Sequence, residues 1–183
     1  MTKNTTGIKL RSEWHDYVAA AGPLLLTLTM GQQVHQLILE LDSVRRRGST
    51  VYLIGNGGSA SAASHLAQDL LKGTSAPGNP ALRALALTDN LSTLTAYGND
   101  LGYEHVFLEP LKLLACGDDY LLAISCSGTR PNVVAAARYT RTVGMAVTAG
   151  NGGDLRGRPT WRSTSQRRTS ASLKHYTAWC STS

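Results

Sequence analysis

Two short segments have the residue types that bind an anion at a turn. Residues 55–59 read Gly-Asn-Gly-Gly-Ser and residues 125–129 read Ser-Cys-Ser-Gly-Thr, and each lies between a short apolar run and a helical pattern. At such a turn, free backbone N–H groups and the helix dipole converge on a negative charge, and glycines let the backbone come close to it. Either segment alone is also typical of a plain strand-to-helix connection, but the two together indicate an anionic ligand.

The composition of these segments favours a small phosphorylated compound over a nucleotide. Neither contains the GxxxxGK[ST] pattern of a Walker loop. Residues 55–59 lack the third glycine of a dinucleotide fingerprint, and no acidic residue ends the second predicted strand. We therefore expect no nucleotide or flavin cofactor.

His65 and Asp69 lie four residues apart in a segment with a helical pattern. This spacing places both side chains on one face of a helix, as a metal-binding pair requires. A stable zinc site needs three or four ligands, so these two residues would form part of one. The alternative interpretation of His65, taken alone, is a histidine whose hydrogen bonds are satisfied within its helix.

Apolar periodicity predicts the elements that would position these residues. Strands are expected at residues 51–54, 83–87, 120–124 and 145–148, and helices at residues 12–22, 29–47, 59–71, 91–97, 104–114 and 132–142. Short apolar strands joined by helices predict an α/β fold with three α-β-α layers, a parallel sheet covered on both faces, and N-terminal helices. Ligands of such sheets bind at the carboxyl ends of the strands, where both segments lie.

The net charge of +6 comes from the C-terminal residues. From residue 156 onward there are six Lys or Arg residues and no Asp or Glu, and elsewhere the basic residues equal the 12 acidic ones in number. A basic, Ser/Thr-rich tail is more typical of a disordered segment than of a nucleic-acid site, so we expect no nucleic-acid partner. No apolar run approaches the roughly 18 residues of a membrane helix, so we expect no membrane partner either.

The remaining features of the sequence predict a cytoplasmic protein. The N-terminal residues lack the charged-then-apolar pattern of a signal peptide. The three cysteines, Cys116, Cys126 and Cys180, include no CxxC pair, which is typical of a reducing compartment.

Five motifs taken together resemble the phosphoheptose isomerases, which are proteins of the sugar isomerase (SIS) type. In order and with matching spacing, they are Gly-Asn-Gly-Gly-Ser at 55–59, a helix bearing His65, Leu-Thr-Asp-Asn at 87–90, Tyr-Gly-Asn-Asp at 97–100 and Ile-Ser-Cys-Ser-Gly at 124–128. The resemblance implies the SIS fold and a sugar-phosphate ligand. It further implies interconversion of sedoheptulose 7-phosphate and D-glycero-D-heptose 7-phosphate by a homotetramer that often holds zinc.

The resemblance also implies roles for individual residues. His65 matches a metal ligand, and Asp69 stands where the family usually has a glutamate that serves as metal ligand and catalytic base. Cys126 replaces a threonine, and Arg130 replaces a serine that helps to bind substrate; the arginine is expected to meet the phosphate. The implied substrate contacts are Asn56, Gly57, Gly58, Ser59, Asn99, Asp100, Ser125, Cys126, Ser127 and Arg130.

The implied activity is proton transfer between adjacent carbons of an open-chain sugar phosphate, through an enediol. A carboxylate base, an acid on the opposite face and, optionally, a metal that polarises the carbonyl are sufficient for it. Two other functions stay open on the sequence. One is a non-catalytic SIS protein that binds a protein partner, like the bacterial replication-initiator-associating proteins, and the other is a module that senses a sugar phosphate. The His65–Asp69 pair favours the enzyme, because a protein-binding SIS protein needs no metal pair.

The resemblance stops at about Gly153. We interpret residues 1–155 as one SIS domain that includes the N-terminal helices, and residues 156–183 as an aberrant basic tail. If the codons are read one base earlier, the pairs 160/161, 162/163 and 164/165 all become apolar codons, and a strand followed by a helix with Glu and His becomes possible. This pattern predicts a frameshift near Gly157. The family's last helix, which supplies a Glu or Gln and a His to the site, would then be absent from the chain with the sequence given above. We call this sequence the printed chain.

Overall fold

The computed structural model describes residues 32–143 and 146–149, together with Asp16 and Ala19, which are both helical. The chain separates into two compact units, Met1–Glu40 and Leu41–Ser183, and the sheet belongs to the second. The rest of the predicted helix over residues 12–22, and the tail over residues 156–183, lie outside the described residues. The frameshift near Gly157 therefore stays a prediction.

The described elements alternate between strand and helix, as predicted. Strands β1 to β4 are Thr50–Gly55, Arg83–Ala86, Tyr120–Ile124 and Ala146–Ala149. Helices α1 to α5 are Gln32–Arg47, Gly58–Gly73, Leu91–Asp100, Leu108–Leu114 and Pro131–Thr142, and a short 3₁₀ helix spans Tyr103–His105. No helix in the described part of the chain is both long enough and apolar enough to cross a membrane.

The described strands form one parallel sheet in the order β2-β1-β3-β4, which confirms the predicted fold class. The two central strands, β1 and β3, are buried along almost their whole length. From β1 the chain moves outward to β2 on one side, and it then returns to place β3 and β4 on the other side. The direction of strand addition therefore reverses between β1 and β3.

Alternate side chains of β1 face two layers of helices. Tyr52 and Ile54 join a buried cluster with side chains of α4 and α5. Val51 and Leu53 are also buried, and strand alternation turns them to the opposite face. Helix α2 packs against β1 and β2 and buries small residues such as Ala63. Together these contacts give the expected three layers.

The predicted helix over residues 104–114 is wrong in one respect, because the structure divides it. The 3₁₀ helix Tyr103–His105 comes first, and α4 begins only at Leu108. Pro110 explains the break. Proline has no N–H and its ring clashes with the carbonyl four residues earlier, so it is tolerated in the first turn of a helix and not in its interior.

A buried carboxylate joins the amino ends of the central strands. Asp119 accepts a hydrogen bond from the backbone N–H of Thr50 at 2.8 Å and another from that of Cys116 at 2.8 Å. Burial raises the pKa of the Asp119 carboxyl, and the two N–H donors oppose that rise. This bond set fixes the edge of the sheet opposite to the carboxyl ends of the strands.

Candidate functional site

The two Gly/Ser-rich segments begin side by side in the structure. We refer to residues 55–59 as loop 1 and to residues 125–129 as loop 2. Gly55 at the end of β1 pairs with Ile124 at the end of β3, so both loops leave the sheet at its carboxyl edge from neighbouring strands. This is the point where the strand order reverses, and in open α/β sheets a ligand crevice forms at that point.

Loop 1 is a tight turn that depends on glycine. A Cβ atom at Gly55 would lie 2.5 Å from the backbone oxygen of Ser59, so no other residue fits there without moving helix α2. Gly57 has a φ of 54°, in the region that favours glycine. The turn closes through the N–H of Ser59, which donates to the carbonyl of Asn56 at 3.0 Å. Helix α2 then begins at Gly58, with its N-terminus open to an anion.

Two hydroxyls of loop 2 accept hydrogen bonds within the loop. The Oγ of Ser127 accepts from the N–H of Thr129 at 3.4 Å, and Ser125 makes the shorter bond. Ser125 is buried, and its Oγ accepts a hydrogen bond from the N–H of Gly128 at 3.1 Å. Cys126 and Ser127 are exposed, and Cys126 is a free thiol. The residues of loop 2 that face solvent are therefore available to a ligand, whereas Ser125 shapes the turn and keeps its O–H to donate.

Helix α2 carries the pair predicted to bind metal. His65 Nε2 lies 3.6 Å from Asp69 Oδ2, and the two side chains are 77% and 56% exposed, so the structure confirms that they share a face. These are the donor types that zinc accepts. Among the described residues, however, no group of three or more His, Cys, Asp or Glu side chains could hold a metal ion. The pair supplies two ligands of the three or four that a zinc site needs.

The segment Leu-Thr-Asp-Asn contacts helix α2 through the side chain of Ser64. Ser64, the residue before His65, donates from its Oγ to Asp89 Oδ1, and it also lies 3.0 Å from Thr88 Oγ1. These contacts fix the turn after β2 against helix α2. They explain why the motif at residues 87–90 accompanies the helix that bears His65.

Asn99 and Asp100 are the last residues of helix α3. Both are exposed, and Asn99 Nδ2 donates to Asp100 Oδ1 at 2.8 Å. Tyr103, three residues further on, donates to Asn56 Oδ1 at 3.1 Å. The end of this segment therefore reaches loop 1, although the structure shows no direct contact of Asn99 or Asp100 with either loop.

Arg130 occupies the N-cap position of helix α5, directly after loop 2. Its side chain is exposed and makes no ion pair with any described residue. Pro131 follows at the first helical position, where its missing N–H costs no hydrogen bond. The guanidinium group, which has no carboxylate partner in the described part of the chain, thus lies next to the loop that would hold a phosphate.

Sequence reasoning missed two residues of this site, Asn132 and Tyr103. The Asn132 side chain is buried and exchanges two hydrogen bonds with the side chain of Asn56, at 2.9 and 2.8 Å. The one available signal was that an asparagine directly precedes the apolar residues Val133 and Val134 in the first turn of α5. Such a residue must find a partner inside the fold, but the sequence does not show which one.

Comparison with known proteins agrees with the geometry. The SIS domain model matches residues 16–151. The phosphoheptose isomerase of Bradyrhizobium sp. is 44% identical over 100 residues, which are 55% of this chain and 50% of that protein. The phosphoheptose isomerase of Nitratidesulfovibrio vulgaris is 38% identical over 156 residues, which are 82% of this chain and 68% of that protein.

A solved structure gives the same result. The phosphoheptose isomerase of Francisella tularensis superposes with a TM-score of 0.70 at 30% identity, over 82% of this chain and 79% of that one. The chain spans about half the length of several curated relatives that it matches. The chain belongs to the SIS domain family and, within it, to the phosphoheptose isomerase family.

Proposed function

We propose that the protein is a sugar-phosphate aldose–ketose isomerase that interconverts sedoheptulose 7-phosphate and D-glycero-D-heptose 7-phosphate. The observation that carries this proposal is the pairing of loops 1 and 2 at the switch point of the sheet. Helix α2 begins in loop 1 and carries a histidine and a carboxylate 3.6 Å apart. The identity of the proposed substrate is inferred from the relatives, which are named phosphoheptose isomerases.

Each part of the site has a role in this reaction. Loop 2 and Arg130 would hold the phosphate end of an open-chain substrate, and Asn99 with Asp100 would contact its hydroxyls. Asp69 would take the proton from the carbon next to the carbonyl while the carbonyl oxygen gains a proton from a general acid, which gives the enediol. Asp69 would then return its proton to the former carbonyl carbon while the other enediol hydroxyl loses its proton, so that the isomeric carbonyl forms. Zinc, when bound by His65 and Asp69 with further ligands, would polarise the carbonyl.

The proposal is tested by turnover of sedoheptulose 7-phosphate by a chain with the frame restored after Gly157. We expect conversion to the aldose, and Asp69→Asn should lower kcat by about 10²- to 10⁴-fold because the proton acceptor is lost. The adjacent exposed residue provides the control, Gln68→Ala, which should keep its rate. A chain that binds the sugar phosphate without converting it would instead be a sensing module. A chain that binds no sugar phosphate would favour the protein-binding alternative.

Removing hydroxyls from the two loops should weaken ligand binding in the printed chain. Ser59→Ala and Ser127→Ala each delete a donor to a charged group, which is worth about 1.5–3 kcal/mol. Titration calorimetry with sedoheptulose 7-phosphate measures the change. Ser75→Ala, at an exposed position beyond the far end of α2, is the matched control. Parent-like affinity for both loop variants would mean that the loops only connect strands to helices.

We propose zinc as the metal, and expect the printed chain to hold it weakly. Two ligands do not make a stable site, so the printed chain should lose its zinc on dialysis. The frame-restored chain should retain about one ion per chain, and His65→Ala should abolish that retention. Atomic absorption measures both. Equal zinc in the two dialysed chains would contradict the prediction.

We also propose a homotetramer in the cytoplasm. Helix α1 leaves apolar side chains at the surface, with Val34 39% and Ile38 58% exposed, and a second copy of the chain would cover such a face. The compartment follows from cysteine usage, in which Cys126 is a free thiol.

A further inference from the structure

We propose that Asn132 is a positioning residue of the anion site. Its side-chain amide fixes the orientation of Asn56 and holds loop 1 at a set position beside the start of α5, which leaves Asn56 as a hydrogen-bond donor to the ligand. This inference rests on the proposed function only in taking the ligand to be a phosphorylated compound.

At the carboxyl edge of the sheet, the hydrogen bonds that join loop 1 to the neighbouring strand and helix change from backbone bonds to side-chain bonds. The β1–β3 ladder ends with the pairing of Gly55 and Ile124. One residue beyond Gly55, Asn56 Nδ2 donates to Asn132 Oδ1 at 2.9 Å, and Asn132 Nδ2 donates to Asn56 Oδ1 at 2.8 Å. A side-chain amide pair thus continues the connection that the backbone ladder can no longer make.

The pair has one orientation, because a backbone group fixes it. The N–H of Val133 donates to Asn132 Oδ1 at 2.9 Å, and a backbone N–H can only donate. The oxygen of the Asn132 amide therefore lies towards the N–H of Val133 and Asn56 Nδ2, and its nitrogen lies towards Asn56 Oδ1. Asn132 is only 2% exposed, so no water can easily replace these partners.

The hydrogen-bonding capacity of Asn56 then assigns its role. Its Oδ1 accepts from Asn132 and from the Tyr103 hydroxyl, at 2.8 and 3.1 Å, which uses both lone pairs. Its Nδ2 donates one of two protons to Asn132. The second N–H has no partner among the described residues. Asn56 can therefore donate to a phosphate or sugar oxygen, and it cannot accept from a sugar hydroxyl through its side chain.

The test is Asn132→Asp, which keeps the shape of the side chain, removes its ability to donate and adds a negative charge at neutral pH. Asn132→Leu, which has a similar size and no charge, separates the two effects, because loss of positioning should weaken binding in this variant as well, at pH 7.5 and at pH 5.5. At pH 7.5 an aspartate oxygen would face Asn56 Oδ1, so that the amide of Asn56 is no longer held. We expect the variant to bind inorganic phosphate and sedoheptulose 7-phosphate at least about tenfold more weakly than the parent, by calorimetry. Thermal melting of both chains measures any effect on the fold.

The pH profile distinguishes positioning from a purely structural role. A protonated aspartic acid can donate to Asn56 Oδ1, and burial raises the pKa of such a group. The ratio of variant to parent affinity should therefore return to within about threefold at pH 5.5. Using the ratio cancels the titration of phosphate itself. Tyr103→Phe, at a residue 62% exposed, should weaken binding less than Asn132→Asp does, and less than additively with it.

Three other outcomes overturn the inference. A ratio of variant to parent affinity near one at every pH would mean that Asn132 does not position Asn56. For Asn132→Asp, a loss of affinity that does not depend on pH, together with a lower melting temperature, would show a structural role alone. A parent chain that binds no inorganic phosphate at concentrations up to about 10 mM would show that the loops are not an anion site. A frame-restored chain that binds phosphate without isomerising sedoheptulose 7-phosphate would sink the proposed function alone, because the phosphate affinities of the parent and the variant would still decide the role of Asn132.

Discussion

Replacing Gly55 with alanine is expected to abolish measurable sugar-phosphate binding and to lower the free energy of unfolding by about 2–3 kcal/mol. The added Cβ would lie 2.5 Å from the backbone oxygen of Ser59 and 2.6 Å from its carbonyl carbon. These are backbone atoms of helix α2, so no side-chain rotation relieves the clash. The start of α2 must shift, and with it the N–H groups of loop 1.

Gly73 at the other end of α2 provides the control. A Cβ there meets no atom within 4 Å, and its φ does not lie in the region that favours glycine. Gly73→Ala should therefore keep parent-like binding and melting temperature. Calorimetric binding and chemical unfolding of the two variants measure the difference. Parent-like values for Gly55→Ala would show that α2 adjusts freely and that loop 1 does not bind through a fixed backbone.

Restoring the reading frame near Gly157 is expected to raise turnover of sedoheptulose 7-phosphate by about 10²-fold or more and to raise the melting temperature. The restored residues would have an apolar pattern that can cover an edge of the sheet. They would also supply the Glu and His that the resemblance places in the site. In the printed chain, His175 is the one histidine of residues 156–183, and its sequence surroundings offer no apolar face to hold it in a catalytic geometry.

Two measurements decide this prediction. Resequencing the gene across the codons for residues 150–160 shows whether the frame changes there. Purified printed and restored chains are then compared by turnover, by melting temperature and by light scattering, since the printed chain should aggregate more readily. Equal turnover and equal melting temperature would mean that residues 156–183 are natural and that the frameshift hypothesis is wrong.

The sequence predicted the elements of the fold well, because each strand is an apolar run bounded by turn residues. Strand Tyr120–Ile124 has the bounds that its sequence predicts, and β1 extends the prediction by one residue at each end. The spacing of His65 and Asp69 likewise predicted a shared face, since helical geometry alone decides that. Local chemistry is enough for features that depend on a few neighbouring residues.

Features that depend on distant residues were not predictable in this way. The strand order β2-β1-β3-β4 creates the switch point, but nothing in the apolar runs states which strands are neighbours. The bond between Asn56 and Asn132 spans 76 positions and leaves no periodic signal. The break at Pro110 was readable from the sequence in principle, because proline inside a predicted helix is a known conflict.

The Asn56–Asn132 pair also has a consequence for how the molecule folds. Loop 1 is synthesised early, and its partner amide comes 76 positions later in the chain, beyond β2, α3, α4 and β3. Contacts between such distant positions form late, because a long stretch of chain must be ordered before they close. A partly folded chain with β1 and α2 in place would therefore have loop 1 but no fixed amide within it. Phosphate added during refolding should stabilise the finished fold and no earlier intermediate, so acquisition of the anion site would mark the completion of folding.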